Sequence, residues 1–267
     1  MRRWNAPAML IARSLLFNAL FYLTTIVLMI VGLPTLLLGR RSILALARLW
    51  GAISLWLLKM TCGLRVDYRG VENIPSGGAL VAVKHQSFLE TFALLRHMPD
   101  FAIILKRELT YLPMFGLYLV VSKQIAIDRG QGLKALRKVV SETRPALAAG
   151  RKIIIYPEGT RRPPGAPADY KSGIAALYAE ARAPCLPVAV NTGLFWKRRS
   201  LIRRPGVAVI EFLPAIEPGL RRTAFMRKLE DAIEAACGGL NAEAIARDPA
   251  LTAAVAVAKD SEKERIR

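Results

Sequence analysis

The chain has 267 residues, 53% of them hydrophobic, and 39 Lys+Arg against 20 Asp+Glu give a net charge of +19. So much apolar content excludes a disordered basic tail. It leaves nucleic acid, or anionic membrane surface and acidic metabolites, as partners for the charge. Three widely separated cysteines, Cys62, Cys185 and Cys237, form neither a disulfide framework nor a zinc spacing, as in a reducing compartment.

No Asp or Glu precedes Asp67, whereas Arg2, Arg3, Arg13, Arg40, Arg41, Arg48 and Lys59 do. Between Arg13 and Arg40 lie 26 uncharged residues. At about 1.5 Å per residue, a helix of that length crosses a hydrocarbon core of about 30 Å. The run is too long for the core of a cleaved signal peptide. A second apolar stretch, Leu49 to Leu58, carries Trp50 and Trp56, residues suited to a membrane interface. Residues 1–64 thus read as a membrane anchor, either a single span or a re-entrant helical hairpin turning near Gly32-Leu33-Pro34. The hairpin keeps both arginine clusters on one side, in line with the positive-inside tendency.

From about Val66 the composition becomes that of a folded domain, read as 65–239. Residues 79–84, 101–105, 124–127, 152–156, 186–190 and 207–212 are short apolar runs of the buried-strand kind. Helical patterns at 88–96, 132–149, 172–182 and 223–236 separate or follow them. The expected fold class is α/β, a mostly buried central sheet flanked by helices and preceded by the anchor. Residues 240–267 read as a helix fraying into a solvated tail.

The chain has two histidines. His97, after a helix, is expected at the surface. His85 ends a buried strand, and Glu90 follows five residues later. On one helix these two would lie about 140° apart; a strand–turn–helix junction lets them converge. Glu90 would then hold one imidazole nitrogen and leave the other as a general base. Ser87-x-x-Glu90 equally fits a capping box, in which Glu90 only closes the helix start.

Two further segments suit anions. KIIIYPEGTRR (152–162) runs a strand into a Pro/Gly turn bearing Glu158, Gly159, Thr160 and Arg161, where backbone N–H groups and a guanidinium can face a phosphate. LKRELTYLPMFG (105–116) places Lys106 at a strand end as a point charge for the same anion. A solvated basic turn and a surface charge cluster are the bland alternatives. There is no G-x-S-x-G elbow, HExxH or Cys/His cluster, so neither a seryl nucleophile nor a metal is expected.

In order, KHQSFLE, KRELTYLPMFG, YPEGTRR and APCLPVAVNTG resemble the four sequence blocks of the glycerolipid acyltransferases, above all bacterial 1-acyl-sn-glycerol-3-phosphate acyltransferases. The likeness covers roughly residues 60–215. It implies that His85 is the general base and Glu90 its orienting partner, in a position where the family more often has Asp. It also implies that Lys106 and Arg161 hold the acceptor phosphate, that Glu158, Gly159 and Thr160 shape the turn, and that Pro187 supports the acyl-binding wall. The implied reaction passes an acyl chain from acyl-CoA or acyl carrier protein, as co-substrate and without a cofactor, to the sn-2 hydroxyl of lysophosphatidate. The product is phosphatidic acid, made at the cytoplasmic face of a bacterial inner membrane with anionic lipids as neighbours. Acylation of another lysolipid, such as lyso-ornithine lipid, is the alternative within the class. A non-catalytic basic membrane-bound protein binding nucleic acid or an acidic partner is the alternative outside it; no RNP-like motif or zinc module supports nucleic-acid binding.

Overall fold

A computed structural model describes residues 7–255. The N-terminal apolar run forms α1 (Pro7–Val31), a short α2 (Thr35–Leu38) and α3 (Arg40–Cys62). The chain reverses at Gly32-Leu33-Pro34, so α1 and α3 pack antiparallel. Arg13 donates to the Thr61 carbonyl at the base of the pair, and Trp50 Nε1 donates to Thr25 Oγ1 at 2.9 Å farther up. Both helices are long and apolar enough to cross a membrane. They nevertheless give one face to the domain: Phe17, Phe21, Leu44, Leu57 and Leu58 are buried in its core. Trp50, expected at an interface, turns inward against Phe21 and Phe92, because its indole N–H finds an acceptor on α1; Trp56 stays exposed. Arg2 and Arg3 lie outside the described residues.

The remaining elements are β1 (Leu64–Arg69), β2 (Ala79–Val83), α4 (Leu89–Ala93), β3 (Phe101–Lys106), α5 (Phe115–Val121), β4 (Ile125–Ile127), α6 (Gly132–Ala148), β5 (Lys152–Ile155), α7 (Gly173–Ala181), β6 (Cys185–Val190), β7 (Gly206–Phe212) and α8 (Arg222–Arg247). The seven strands form one sheet in the order β1-β7-β6-β2-β5-β3-β4, parallel at each pairing except β6 with β7. Strand β2, ALVAV, is buried along its whole length. Its Val81 and Val83 face α1, α3 and α4, and its Leu80 and Ala82 face α6, α7 and α8. A parallel sheet covered on both faces requires such continuous apolar strands.

Three elements depart from the sequence reading. Strand β1, LRVDYR, alternates charge with apolar residues because it is a half-buried edge strand. Helix α5 lies inside the Pro-containing stretch after Lys106. Gly116 in its first turn is obligatory, since a Cβ there would fall 2.1 Å from the Thr110 carbonyl oxygen. The boundary drawn at 239/240 falls within α8, which continues to Arg247, and beyond it Leu251 and Ala254 are buried in the core. The segment to 255 is therefore part of the domain; residues 256–267 of the expected tail lie outside the described residues. His97, expected at the surface, is half-buried: its ring packs edge-on against Tyr68 at 4.5 Å, and burial lowers its pKa.

Candidate active site

Ligands of open α/β sheets bind beyond the carboxyl ends of parallel strands, and this topology makes β2, β5 and β3 consecutive neighbours. The segments that follow them, bearing His85, Tyr156 to Arg161 and Lys106, therefore emerge side by side. They line one cleft of about 1410 Å³, whose apolar walls come from α1, α3, α5 and α6.

The turn after β2 brings the imidazole and carboxylate together. His85 Nδ1 lies 2.9 Å from Glu90 Oε1. The same oxygen accepts the backbone N–H groups of Gln86 (2.8 Å) and Ser87 (2.7 Å), and Oε2 accepts Thr192 Oγ1 at 2.7 Å. Glu90 is fully buried, so this set of donors is what makes an ionised carboxylate tolerable there. The two readings of Ser87-x-x-Glu90 coincide: Glu90 caps the start of α4 and holds His85 with the same oxygen. With Nδ1 donating to Glu90, Nε2 is the basic nitrogen.

Strand β5 ends at Ile155, and the Gly159 N–H closes a turn onto the Tyr156 carbonyl at 2.9 Å. Pro157 occupies the second position of that turn, and Gly159 adopts φ 66°, which favours glycine. Beyond it the Arg162 N–H donates to the His85 carbonyl at 2.8 Å, locking the turn beside the His85–Glu90 pair. The Tyr156 ring stacks on the His85 ring, with centroids 4.0 Å apart. Arg161 lies over the Phe88 ring at 5.5 Å and lines the cleft. Lys106 also lines it, exposed and paired with Glu108 at 2.8 Å.

Glu158 turns the other way. It meets Lys84 at 3.0 Å, both side chains buried, and Lys84 also reaches Glu234 of α8 at 2.6 Å. Tyr170 adds a hydrogen bond to Glu234 at 2.8 Å. Burial alone lowers the Lys84 pKa, yet Glu158 and Glu234 outweigh it and leave the value raised. This network anchors the turn from behind the sheet, while Thr160 stays exposed at the cleft. Pro187 lies outside the cleft lining, contrary to its expected place in the acyl wall. It sits in β6 opposite Ala82, next to the last β6–β7 pair, and its carbonyl accepts the Leu213 N–H at 3.0 Å.

Thr192, Lys84, Glu234 and Tyr156 carry roles that the sequence did not single out. Thr192 was visible only as the threonine after the fourth block's strand; Lys84 was visible as a cation inside an apolar run. Among the described residues no cluster of His, Cys, Asp or Glu is placed to hold a metal ion.

A histidine–carboxylate pair at the carboxyl edge of a parallel sheet, facing an apolar cleft with cations on its rim, is the apparatus of a base-catalysed transfer to or from a lipid-like molecule. Residues 65–191 match the sequence model of the Acyltransferase family. The chain is 38% identical over 167 residues to a 1-acyl-sn-glycerol-3-phosphate acyltransferase of Pseudomonas aeruginosa, a match covering 62% of this chain and 65% of that protein. It is 27% identical over 169 residues to a 1-acyl-sn-glycerol-3-phosphate acyltransferase of Cocos nucifera, covering 62% of this chain and 53% of that protein. The matched segment thus spans less than two thirds of the length of these curated relatives. The fold is also that of the 1-acyl-sn-glycerophosphate (LPA) acyltransferase PlsC from Thermotoga maritima, with a TM-score of 0.71 at 22% identity over 86% of this chain and 96% of that one.

Proposed function

We propose that the protein transfers an acyl chain from a thioester donor to the sn-2 hydroxyl of 1-acyl-sn-glycerol-3-phosphate, giving phosphatidic acid. The observation that carries this reading is the His85–Glu90 pair opening, beside Arg161 and Lys106, into one large apolar cleft. His85 Nε2 takes the proton of the acceptor hydroxyl as its oxygen attacks the thioester carbon. A C–O bond forms, the C–S bond breaks, and the imidazolium returns the proton to the thiolate. Glu90 stabilises the imidazolium, Arg161 and Lys106 hold the phosphate, and the cleft receives acyl chains. No enzyme-bound acyl intermediate and no cofactor is needed. The curated relatives carry this activity in their names.

The exposed apolar faces of α1 and α3, with Leu37 and Leu38 at the tip, support seating in a membrane as a re-entrant hairpin. An amphiphilic acceptor would then reach His85 without leaving the lipid phase, and the basic surface would attract an anionic leaflet at about 1 kcal/mol per cation. We place the domain on the cytoplasmic face, where acyl-CoA or acyl carrier protein is available. The test is product analysis with lysophosphatidate, lyso-ornithine lipid and both donors in competition. Phosphatidic acid as the main product supports the assignment, and a wide preference for lyso-ornithine lipid overturns it.

A further inference from the structure

The segment that follows Lys106 carries an apolar surface that the acyl transfer does not use. Between Glu108 and Lys123 lie 14 uncharged residues. They form the end of a 3-10 turn (Arg107–Tyr111) and helix α5. Gly116, Tyr118 and Leu119 turn into the protein. On the other side Tyr111, Leu117 and Val120 are 65%, 57% and 62% exposed, with Leu112 and Phe115 exposed beside them. A cluster of large apolar side chains in solvent marks a surface that meets a partner or a membrane.

The position of α5 decides between these. Tyr118 Oη donates to the Met29 carbonyl, in the last turn of α1, at 2.7 Å. Helix α5 also touches α2 and α3, so it lies against the turning end of the hairpin, where Val31, Leu37 and Leu38 are exposed. One leaflet contributes about 15 Å of hydrocarbon, half of a core of about 30 Å. A leaflet that takes in the turning end therefore takes in a helix bonded to it. The segment suits that setting, because its backbone donors close locally: the Gly116 N–H onto the Leu112 carbonyl at 2.8 Å and the Ser122 N–H onto the Tyr118 carbonyl at 3.0 Å. Its charged residues, Arg107, Glu108 and Lys123, stand at the two ends. A protein partner would have to displace the lipid around the hairpin to reach this face, whereas a bilayer covers both surfaces at once.

We propose that residues 109–121 are a second membrane-contacting element, whose Leu112, Leu117 and Val120 enter the hydrocarbon of the same leaflet as the hairpin. The inference rests on the membrane-seating reading above. Leu109, Phe115 and Leu119 also line the cleft, so the segment that meets lipid on one side walls the cleft on the other.

Cys62, Cys185 and Cys237 are buried, so one added surface cysteine takes a thiol-reactive NBD fluorophore selectively. The full chain is labelled at Leu117→Cys, and separately at Val120→Cys should the first variant fold poorly. Leu37→Cys reports the hairpin, and Lys228→Cys reports exposed α8, on the opposite face of the sheet. Each is reconstituted in phosphatidylcholine–phosphatidylglycerol vesicles with and without doxyl-labelled acyl chains. The expected result is loss of most of the fluorescence to the doxyl lipid at Leu37→Cys and Leu117→Cys, and none at Lys228→Cys. Quenching at Leu37→Cys but not at Leu117→Cys or Val120→Cys overturns this proposal and leaves the hairpin reading standing. Quenching at none of the sites overturns both. A blue shift at Leu117→Cys that needs no vesicles and grows with protein concentration assigns the face to a second copy of the chain, and also overturns the proposal.

Discussion

Replacing Glu90 by Gln removes a charge from beneath the imidazole with almost no change in volume. The amide oxygen can still accept from His85 Nδ1 and from the Gln86 and Ser87 N–H groups, and the new NH2 can donate to Thr192, whose hydroxyl rotates to accept. The local fold is thus retained, and the interaction with the protonated imidazole is weakened. A hydrogen bond involving a charged group contributes about 1.5–3 kcal/mol against about 0.5–1.5 for a neutral one. Unit charges about 4 Å apart attract by about 4 kcal/mol at an effective dielectric constant of 20. The transition state in which His85 carries the proton should rise by about 3 kcal/mol, a loss of about 10²-fold in kcat. Initial rates of acyl transfer with a thermal unfolding curve for each variant check this. Glu90→Gln should melt close to the native protein, whereas Glu90→Ala leaves three buried donors without an acceptor and should melt well below it. A Glu90→Gln enzyme within about threefold of the native rate, under 1 kcal/mol, would refute the charge-stabilised imidazolium.

Arg161→Ala should raise KM for lysophosphatidate by about 10–100-fold, the value of charged hydrogen bonds to a phosphate, while a phosphate-free lysolipid is unaffected; equal effects on both acceptors would place the phosphate elsewhere. Lys84→Met leaves the buried Glu158 with only Arg162, at 3.6 Å, and should cost up to about 3–5 kcal/mol in thermal or denaturant unfolding. Because the Lys84 pKa is raised in the folded state, its stabilisation is complete below the ordinary lysine value of 10.5 and is lost as pH rises through the higher folded value. The native protein should therefore lose stability over that alkaline window, and Lys84→Met should lack this component; superimposable alkaline limbs would count against the network. Leu37 and Leu38 are 91% and 71% exposed at the hairpin tip. Changing both to Asp, at about 2.5–3.5 kcal/mol each near a bilayer centre, should release the protein from vesicles in a flotation assay, and undiminished flotation would put the tip outside the bilayer.

The sequence by itself determined the pieces whose logic is local. A long uncharged run has to be a helix in an apolar environment, so an apolar N-terminal helix and, as one of two alternatives, its turn at Gly32-Leu33-Pro34 were legible. Continuous apolar runs such as ALVAV announced a sheet covered on both faces, and His85 and Glu90 could meet only across a strand–helix junction. Chain order also carried the four-block pattern. What lay beyond sequence was every relation set by which strands lie next to each other. That β2, β5 and β3 are neighbours is a property of the sheet, and it brings Arg161 and Lys106 to His85. Likewise, Thr192 completes the Glu90 site from 102 residues away, and Glu158, in a turn that lines the cleft, sends its carboxylate to Lys84. Edge strand β1 and the extension of α8 escaped for the same reason: their residues satisfy partners far along the chain, and burial against a distant surface outweighs local pattern. The stacking of Tyr156 on His85 belongs to this second kind of information, since only the packed sheet decides which face of a side chain another ring will cover.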